Sequence, residues 1–558
     1  MSFSRWQSLA LAAFACAALL FFLGSRGLNE PDEGRYAEIG REMAASGDWL
    51  VPTLNGIPHF QKPPLLYWAT AASIRAFGVN EWAARLPSAL AALGVLGLTC
   101  WIGTLLFEKR TGMLAALILL SSIEFFVTAR LLTPDMTMTF WITAAIACLV
   151  KYGRGGGRVW AWLFFVAAGL GFLTKGPMGF IVPLAAALSW QISRRRSGAP
   201  LQLPWLGGIA LMLAIGLAWF VALSLQSHEL FRYFAGDELV KRFGSKVHGR
   251  SKPFWFFAWV LPTALFPWSF FLFAMLWRQF VRWREGWRPQ PDHVLLAGWV
   301  AFPVMILSAS GSKLPTYVLP LLPAVAIAMG RWTRTRENQT AWNGAMIVTL
   351  LGLAAFVIGI ATIEHTTHVE LPDSYLLLPA LIAALVLLRE HPVSARVVVC
   401  ITTVVVWLSG VTHMDTLNNY LEQQASVEPL TRRLRTAPDF ASATVFACEV
   451  RAHGWEFYLQ RVTRITRKDA DIVLRLTAEQ KARIIDSPES CEVDMLAVAP
   501  AYGLVREARF ARSFSPEKWA VLAHAGDFLL IGSRDTALAA QQANLPAPPE
   551  PSPRSPAQ

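Results

Sequence analysis

The feature that most limits what this chain can become is a series of apolar runs, each roughly 16 to 24 residues long, recurring from Leu9 to His413. A run of that length spans the hydrocarbon layer of a bilayer when wound as a helix. The spans predicted are 9–24, 83–106, 112–128, 134–150, 159–174, 177–193, 204–225, 254–277, 293–309, 314–330, 342–363, 374–389 and 395–413, thirteen in all. The composition agrees: 54% hydrophobic, 16% charged and 23 Trp in 558 residues, with a mean hydropathy of +0.40, describe an all-α polytopic membrane domain.

Orientation follows from the basic residues, because short cytoplasmic loops retain Lys and Arg. Alternate loops carry Lys109 and Arg110, then Lys151, Arg154 and Arg158, then Arg194 to Arg196, Arg278 to Arg288, Arg331 to Arg336, and Arg389 with Arg396. Those loops and Arg5 are assigned to the cytoplasm. The net charge of +12 is thus a topology signal, and no nucleic-acid partner is expected. The first span also has the basic start and apolar core of a signal peptide. No small-x-small cleavage pattern follows Phe22, so it is expected to stay as an anchor helix.

The membrane domain is expected to cover 1–413, and hydropathy drops after it. Short β-like runs such as Ala443-Thr-Val-Phe-Ala447 and Phe528-Leu-Leu-Ile531, with a polar helical stretch at 477–485, predict a small α/β domain over 414–540 on the outer side. The Pro-rich tail, 541–558, is expected to be disordered. Cys16, Cys100, Cys148 and Cys400 fall within spans and read as packing residues, whereas Cys448 and Cys491 lie where a disulfide is permitted. None is spaced as in a zinc site.

The first outer loop, 25–82, is long and not simply polar. Tyr36, Ile39 and Met43 alternate with Glu38, Arg41 and Glu42 at helical spacing, and 64–78 is a second apolar run. Both suit helices lying in the membrane interface. Asp32 and Glu33 set a carboxylate pair against Arg35, either as a solvated turn after Pro31 or as part of a site. Asp135 follows Pro134 at the start of a span, where a carboxylate serves the helix dipole or a reaction equally well. Lys62, Lys175 and Lys313 sit at helix ends, where lysines commonly snorkel to headgroups. With Arg242, His248 and Arg250 they form, on one face, a cationic rim suited to a lipid phosphate.

The run Glu30-Pro-Asp-Glu-Gly-Arg-Tyr-Ala-Glu-Ile, followed by Arg41-Glu-Met-Ala-Ala-Ser-Gly-Asp-Trp-Leu-Val-Pro, resembles the aminoarabinose transferase family, relatives of the protein O-mannosyltransferases with a multi-span GT-C fold. Phe60-Gln-Lys-Pro-Pro, Leu132-Thr-Pro-Asp, Leu173-Thr-Lys-Gly, His248-Gly-Arg-Ser-Lys-Pro-Phe-Trp-Phe and Gly311-Ser-Lys-Leu-Pro-Thr-Tyr continue the resemblance in order over residues 28–320. It implies thirteen spans, interfacial helices in the first outer loop and a periplasmic C-terminal domain. It also implies transfer of 4-amino-4-deoxy-L-arabinose from undecaprenyl phosphate to lipid A at the periplasmic face of the bacterial inner membrane, with inversion at the anomeric carbon.

By position, the resemblance makes Asp32 the principal catalytic carboxylate and Asp135 the second acid. It associates Lys62, Arg250 and Tyr317 with the carrier phosphate, and sets Arg35 beside the catalytic acid. Glu33, Gln61 and Lys313 complete the expected substrate-binding set. Gln61 departs from the family pattern, which has Glu before this lysine, so no obligatory metal or other cofactor is expected, and a divalent ion is allowed without support. The partners expected are the polyprenyl-phosphate sugar, lipid A or another envelope acceptor, and membrane lipids. Two alternatives stay open. One is transfer of mannose or galactosamine to protein Ser/Thr or another envelope glycan. The other is a transporter, which would place ionisable groups near mid-span in an inverted repeat.

Overall fold

The computed structural model describes residues 5–234, 252–333, 345–352, 354–355, 392–412, 426–467 and 472–534. They fall into two compact units, each assembled from more than one stretch: Met1–Arg26, Asp48–Leu50 and Phe60–Met414 in the first, and Gly27–Gly47, Val51–His59 and Asp415–Gln558 in the second.

In chain order the helices begin with α1 (Arg5–Leu20), α2 (Asp32–Ser46), α3 (Leu65–Phe77), α4 (Glu81–Leu106), α5 (Lys109–Leu120), α6 (Ile123–Ala129) and α7 (Pro134–Gly153). They continue with α8 (Arg158–Lys175), α9 (Met178–Arg196), α10 (Trp205–Gln226), α11 (His228–Arg232), α12 (Phe256–Ala264), α13 (Ser269–Arg284), α14 (Pro291–Ala309), α15 (Leu322–Trp332) and α16 (Pro392–Thr412). Among the described residues five helices, α4, α7, α8, α10 and α14, are long and apolar enough to cross a membrane, and seven spans result if each of two bent pairs counts as one. The first unit is therefore a multi-pass membrane domain.

The bent pairs refine two predicted spans. The span at 112–128 is α5 and α6 meeting at 71°. The hydroxyls of Ser121 and Ser122 donate back to the carbonyls of Leu117 and Ile118, both at 2.7 Å, which competes with continuation of the helix. The break is held from outside, since Trp407 Nε1 donates to the Ser121 carbonyl (3.0 Å) and the Ile123 N–H donates to that of Phe266 (3.0 Å). The span at 254–277 is α12 and α13, bent by 119°. That at 314–330 opens as a 3-10 segment, Pro315–Leu321, before α15. The predicted span at 374–389, most of that at 342–363 and the tail at 541–558 lie outside the described residues.

The second unit contains a six-stranded sheet in the order β5-β4-β3-β6-β8-β7, formed by β3 (Thr444–Ala447), β4 (Arg464–Thr466), β5 (Ile484–Ile485), β6 (Ala501–Arg506), β7 (Trp519–Ala525) and β8 (Phe528–Ser533). The first four strands in that order run parallel, and β8 and β7 are antiparallel additions. Alternate residues feed two cores: Val445, Tyr502, Leu504 and Leu530 pack with Leu430, Leu434 and Trp455, while Phe446, Val505, Leu529 and Ile531 pack with Cys491 and Met495. Cys448 and Cys491 are joined in a disulfide, with Cα atoms 6.1 Å apart.

The same unit takes in α2 and a short hairpin, β1 (Thr53–Leu54) with β2 (Ile57–Pro58). Asn55 and Gly56 turn the hairpin with φ of +55° and +70°, a conformation this dipeptide favours. Helix α2 ends at Gly47, whose φ of +73° lets its N–H bond the Met43 carbonyl at 3.1 Å. An amphipathic helix lying in the interface would leave its polar face exposed. In α2 the polar residues Glu33, Glu38 and Glu42 are buried along with Tyr36, Ile39 and Met43.

Candidate functional site

The sequence-predicted residues fall into two sets, one in each unit. In the second, Asp32 opens α2 and its carboxylate is 61% exposed, ion-paired with Arg35 one turn later. Arg35 also stacks over the Tyr36 ring, 5.1 Å from its centroid. Glu33 points the other way: it is buried and accepts from the Asn29 N–H at 3.0 Å, bracing the turn that leads into α2. Of this carboxylate pair, only Asp32 is presented to the outside.

In the first unit the short connection between α7 and α8 makes them an antiparallel hairpin, so the start of one lies beside the end of the other. Asp135, the second residue of α7, and Lys175, the last of α8, therefore meet and form an ion pair, both largely buried. Each charge also suits the pole of its own helix. Lys175 Nζ lies 5.3 Å from the centroid of the Tyr317 ring, which adds a cation–π contact. Tyr317 belongs to the 3-10 segment that follows Lys313. Glu124 of α6 lies near enough to Asp135 for the two carboxylates to repel.

Lys313 is buried, and its ammonium donates to the carbonyls of Ser310 (2.6 Å) and Lys252 (3.1 Å), so it braces a turn. Gln61 and Lys62 are half-buried just ahead of α3. Arg242, His248 and Arg250 lie outside the described residues. Three further buried arginines cap backbone carbonyls: Arg26 donates to that of Arg130 (3.2 Å), Arg85 to those of Leu23 (3.0 Å) and Arg26 (2.8 Å), and Arg130 to that of Ala18 (2.8 Å). The sequence places Lys175 at a helix end and in the cationic rim, not beside Asp135, and it does not single out Glu124. The signal for Lys175 was present in Leu173-Thr-Lys-Gly, but its partner could be read only from the pairing of α7 with α8.

The family model described as dolichyl-phosphate-mannose-protein mannosyltransferase matches residues 6–231. An undecaprenyl phosphate-alpha-4-amino-4-deoxy-L-arabinose arabinosyl transferase of Edwardsiella ictaluri is 34% identical over 383 residues, covering 64% of this chain and 67% of its own. The protein of that name from Yersinia enterocolitica is 32% identical, covering 64% and 66%. In three dimensions the chain superposes on the crystal structure of ArnT from Cupriavidus metallidurans bound to undecaprenyl phosphate with a TM-score of 0.79, at 22% identity over 95% of this chain and 98% of that one. The fold and these matches define a multi-pass membrane glycosyltransferase of the GT-C type. Within that class the chain belongs to the undecaprenyl phosphate-alpha-4-amino-4-deoxy-L-arabinose arabinosyl transferase family.

Proposed function

We propose that the protein transfers 4-amino-4-deoxy-L-arabinose from undecaprenyl phosphate to a phosphate of lipid A, with Asp32 as the catalytic carboxylate. The observation that carries the reading is the 383-residue likeness to a relative named for that donor. The geometry supports it, since Asp32 is an exposed acid fixed at a helix start by Arg35. Breaking a glycosyl phosphate bond places negative charge on the departing phosphate, so cations at its oxygens help more in the transition state than in the ground state. Lys62 and Arg250 are assigned that role, with Tyr317 supplying a hydrogen bond and Lys313 shaping the adjoining turn. The sugar gains oxocarbenium character, which a carboxylate at Asp32 stabilises. A lipid phosphate acceptor is already anionic at neutral pH and needs orientation more than proton removal.

The topology proposed has thirteen spans, with the site and the C-terminal domain on the periplasmic side of the inner membrane. The Cys448–Cys491 disulfide supports that side, because such bonds persist in oxidising compartments. A second reading is favoured by the mannosyltransferase family match: a protein hydroxyl as acceptor, for which Asp32 would serve as general base.

The test is transfer by purified protein in detergent, using undecaprenyl-phosphate aminoarabinose and lipid A, read by mass spectrometry. Wild type is expected to add one amino-pentose mass to lipid A, and Asp32→Asn to lower turnover at least about 100-fold. A folded Asp32→Asn protein with wild-type transfer would overturn the catalytic assignment. Labelling of protein Ser/Thr with lipid A left unmodified would select the second reading.

A further inference from the structure

The segment that carries Asp32 is held by residues more than 400 positions away. The Leu28 N–H donates to the Tyr458 hydroxyl (2.8 Å), and the Gly454 N–H donates to Glu30 Oε1 (2.7 Å). Farther along, Asn55 Nδ2 donates to the Thr463 carbonyl (2.8 Å) and Asn55 Oδ1 accepts from the Thr463 N–H (2.9 Å). Gln480 Nε2 donates to the Gly56 carbonyl (3.0 Å), and Ile57 joins the core that contains Trp455 and Leu504. Within this unit the contacts bracket α2 from both sides.

The tightest of them lies two residues before Asp32. Glu30 is 2% exposed, wedged between Gly34 of α2 and Gly454, the first residue of α18 (Gly454–Leu459; α17 is Glu428–Arg435). A Cβ on Gly34 would lie 2.6 Å from both Glu30 carboxyl oxygens, and one on Gly454 would overlap Oε1. Glycine at both positions is what lets the carboxyl reach the Gly454 N–H. Among the described residues Glu30 Oε2 is buried without a hydrogen-bond partner, as is Oε2 of Glu456, which lies 3.6 Å from His453 Nδ1, while Glu456 Oε1 accepts from the Thr463 hydroxyl (2.7 Å). Burial, with Glu456 and Glu33 nearby, raises the Glu30 carboxyl well above its ordinary range.

We propose that the C-terminal domain is a positioning element for catalysis: Glu30, Gly454 and Tyr458 form a clasp that fixes the start of α2 and thereby the aim of the Asp32 carboxylate. The proposal rests on the reading of Asp32 as the catalytic acid. None of the three is a catalytic residue. The clasp acts on the geometry of Asp32, so it governs the chemical step, whereas affinity for the carrier phosphate is the role proposed above for Lys62 and Arg250.

The experiment compares full-length wild type with Gly454→Ala, Glu30→Ala, Glu30→Gln and the milder Tyr458→Phe. Each is assayed for kcat, donor KM and undecaprenyl phosphate binding, together with hydrogen–deuterium exchange of residues 28–47. Gly454→Ala is expected to speed exchange in that segment and to lower kcat by about 10- to 100-fold, the range expected for a misplaced reacting group, with donor KM and phosphate binding unchanged. Glu30→Gln, which keeps the accepting oxygen, is expected to lose less than Glu30→Ala. If Gly454→Ala fails to fold, Tyr458→Phe carries the test with a smaller change in the same direction.

Faster exchange with kcat intact overturns the proposal. So does a loss shared equally by kcat and phosphate binding, which is what general destabilisation would cause. A wild type that transfers sugar while every variant matches it sinks this proposal and leaves the function standing; a wild type that transfers no sugar sinks both.

Discussion

Asp135 and Lys175 show how a pair of charges can be placed inside a membrane domain at tolerable cost. Each sits at the pole of its helix that favours it, and each neutralises the other beside the Tyr317 ring. Removing one partner leaves a largely buried charge unpaired, which costs about 3 to 5 kcal/mol, whereas removing both relieves most of that. Asp135→Asn and Lys175→Met are therefore each expected to lower stability strongly, and the double variant to be more stable than either, as measured by denaturant unfolding in detergent. Additive losses would show that the pair is not coupled. Of the candidate residues, type and position were legible: Asp32 behind the first span, Asp135 at a helix start, Tyr317 within a short motif. What could not be read was which groups meet. Asp135 finds its counter-ion 40 residues on, and Lys313, equally cationic in sequence, spends its protons on the Ser310 and Lys252 carbonyls.

Helix α2 illustrates the same limit at the scale of an element. Its spacing specifies a helix with an apolar stripe, and Asp32–Ser46 is that helix. Burial of the opposite face could not be anticipated, because the groups that satisfy it are local in space only. Glu38 pairs with Arg41 through two contacts of 2.6 Å, and Glu42 accepts from the Thr53 hydroxyl (2.5 Å) and the Gly56 N–H (2.9 Å). The Asn55-Gly56 hairpin signal went unused for the opposite reason, since it is short and embedded in a loop. A pH dependence belongs to this element. Glu30, facing Glu33, Glu456 and His453, is raised in the folded state first by burial, with the repulsion of Glu456 and Glu33 added and the Gly454 N–H opposing. Below the ordinary carboxyl value of 4.5 both folded and unfolded chains hold the proton and no penalty exists. As pH rises above that value the unfolded chain releases its proton first, so stability declines until the folded pKa is passed. Thermal midpoints of wild type are expected to fall as pH rises from about 5, with Glu38, also raised by burial, adding to the decline, and Glu30→Gln to make the slope shallower. An unchanged slope would remove Glu30 from the account.

At the scale of the whole molecule, the repeated apolar runs announced a multi-pass membrane chain, and short β-like runs at 443–447 and 528–531 announced strands that the structure contains as β3 and β8. Division of labour within the second unit was hidden, because its pieces are separated by almost the full membrane domain: 27–47 and 51–59 belong with residues after 414. A unit assembled from such distant pieces gains from any cross-link that narrows its unfolded ensemble. The Cys448–Cys491 disulfide closes a loop of 43 residues, which the chain-entropy account values at about 4 kcal/mol. It ties β3 to the short helix at Cys491–Leu496 on one face of the sheet, and the opposite face carries Trp455 and the α18 residues that hold Glu30. Cys448→Ser/Cys491→Ser, or wild type held in dithiothreitol, is therefore expected to lose stability in this unit by about 2 to 4 kcal/mol. Hydrogen exchange should accelerate in the sheet and in residues 28–47 together, because the loosened domain no longer anchors α2. Acceleration confined to the neighbourhood of the two cysteines would mean that the sheet does not transmit the constraint, and that α2 is held by its own contacts alone.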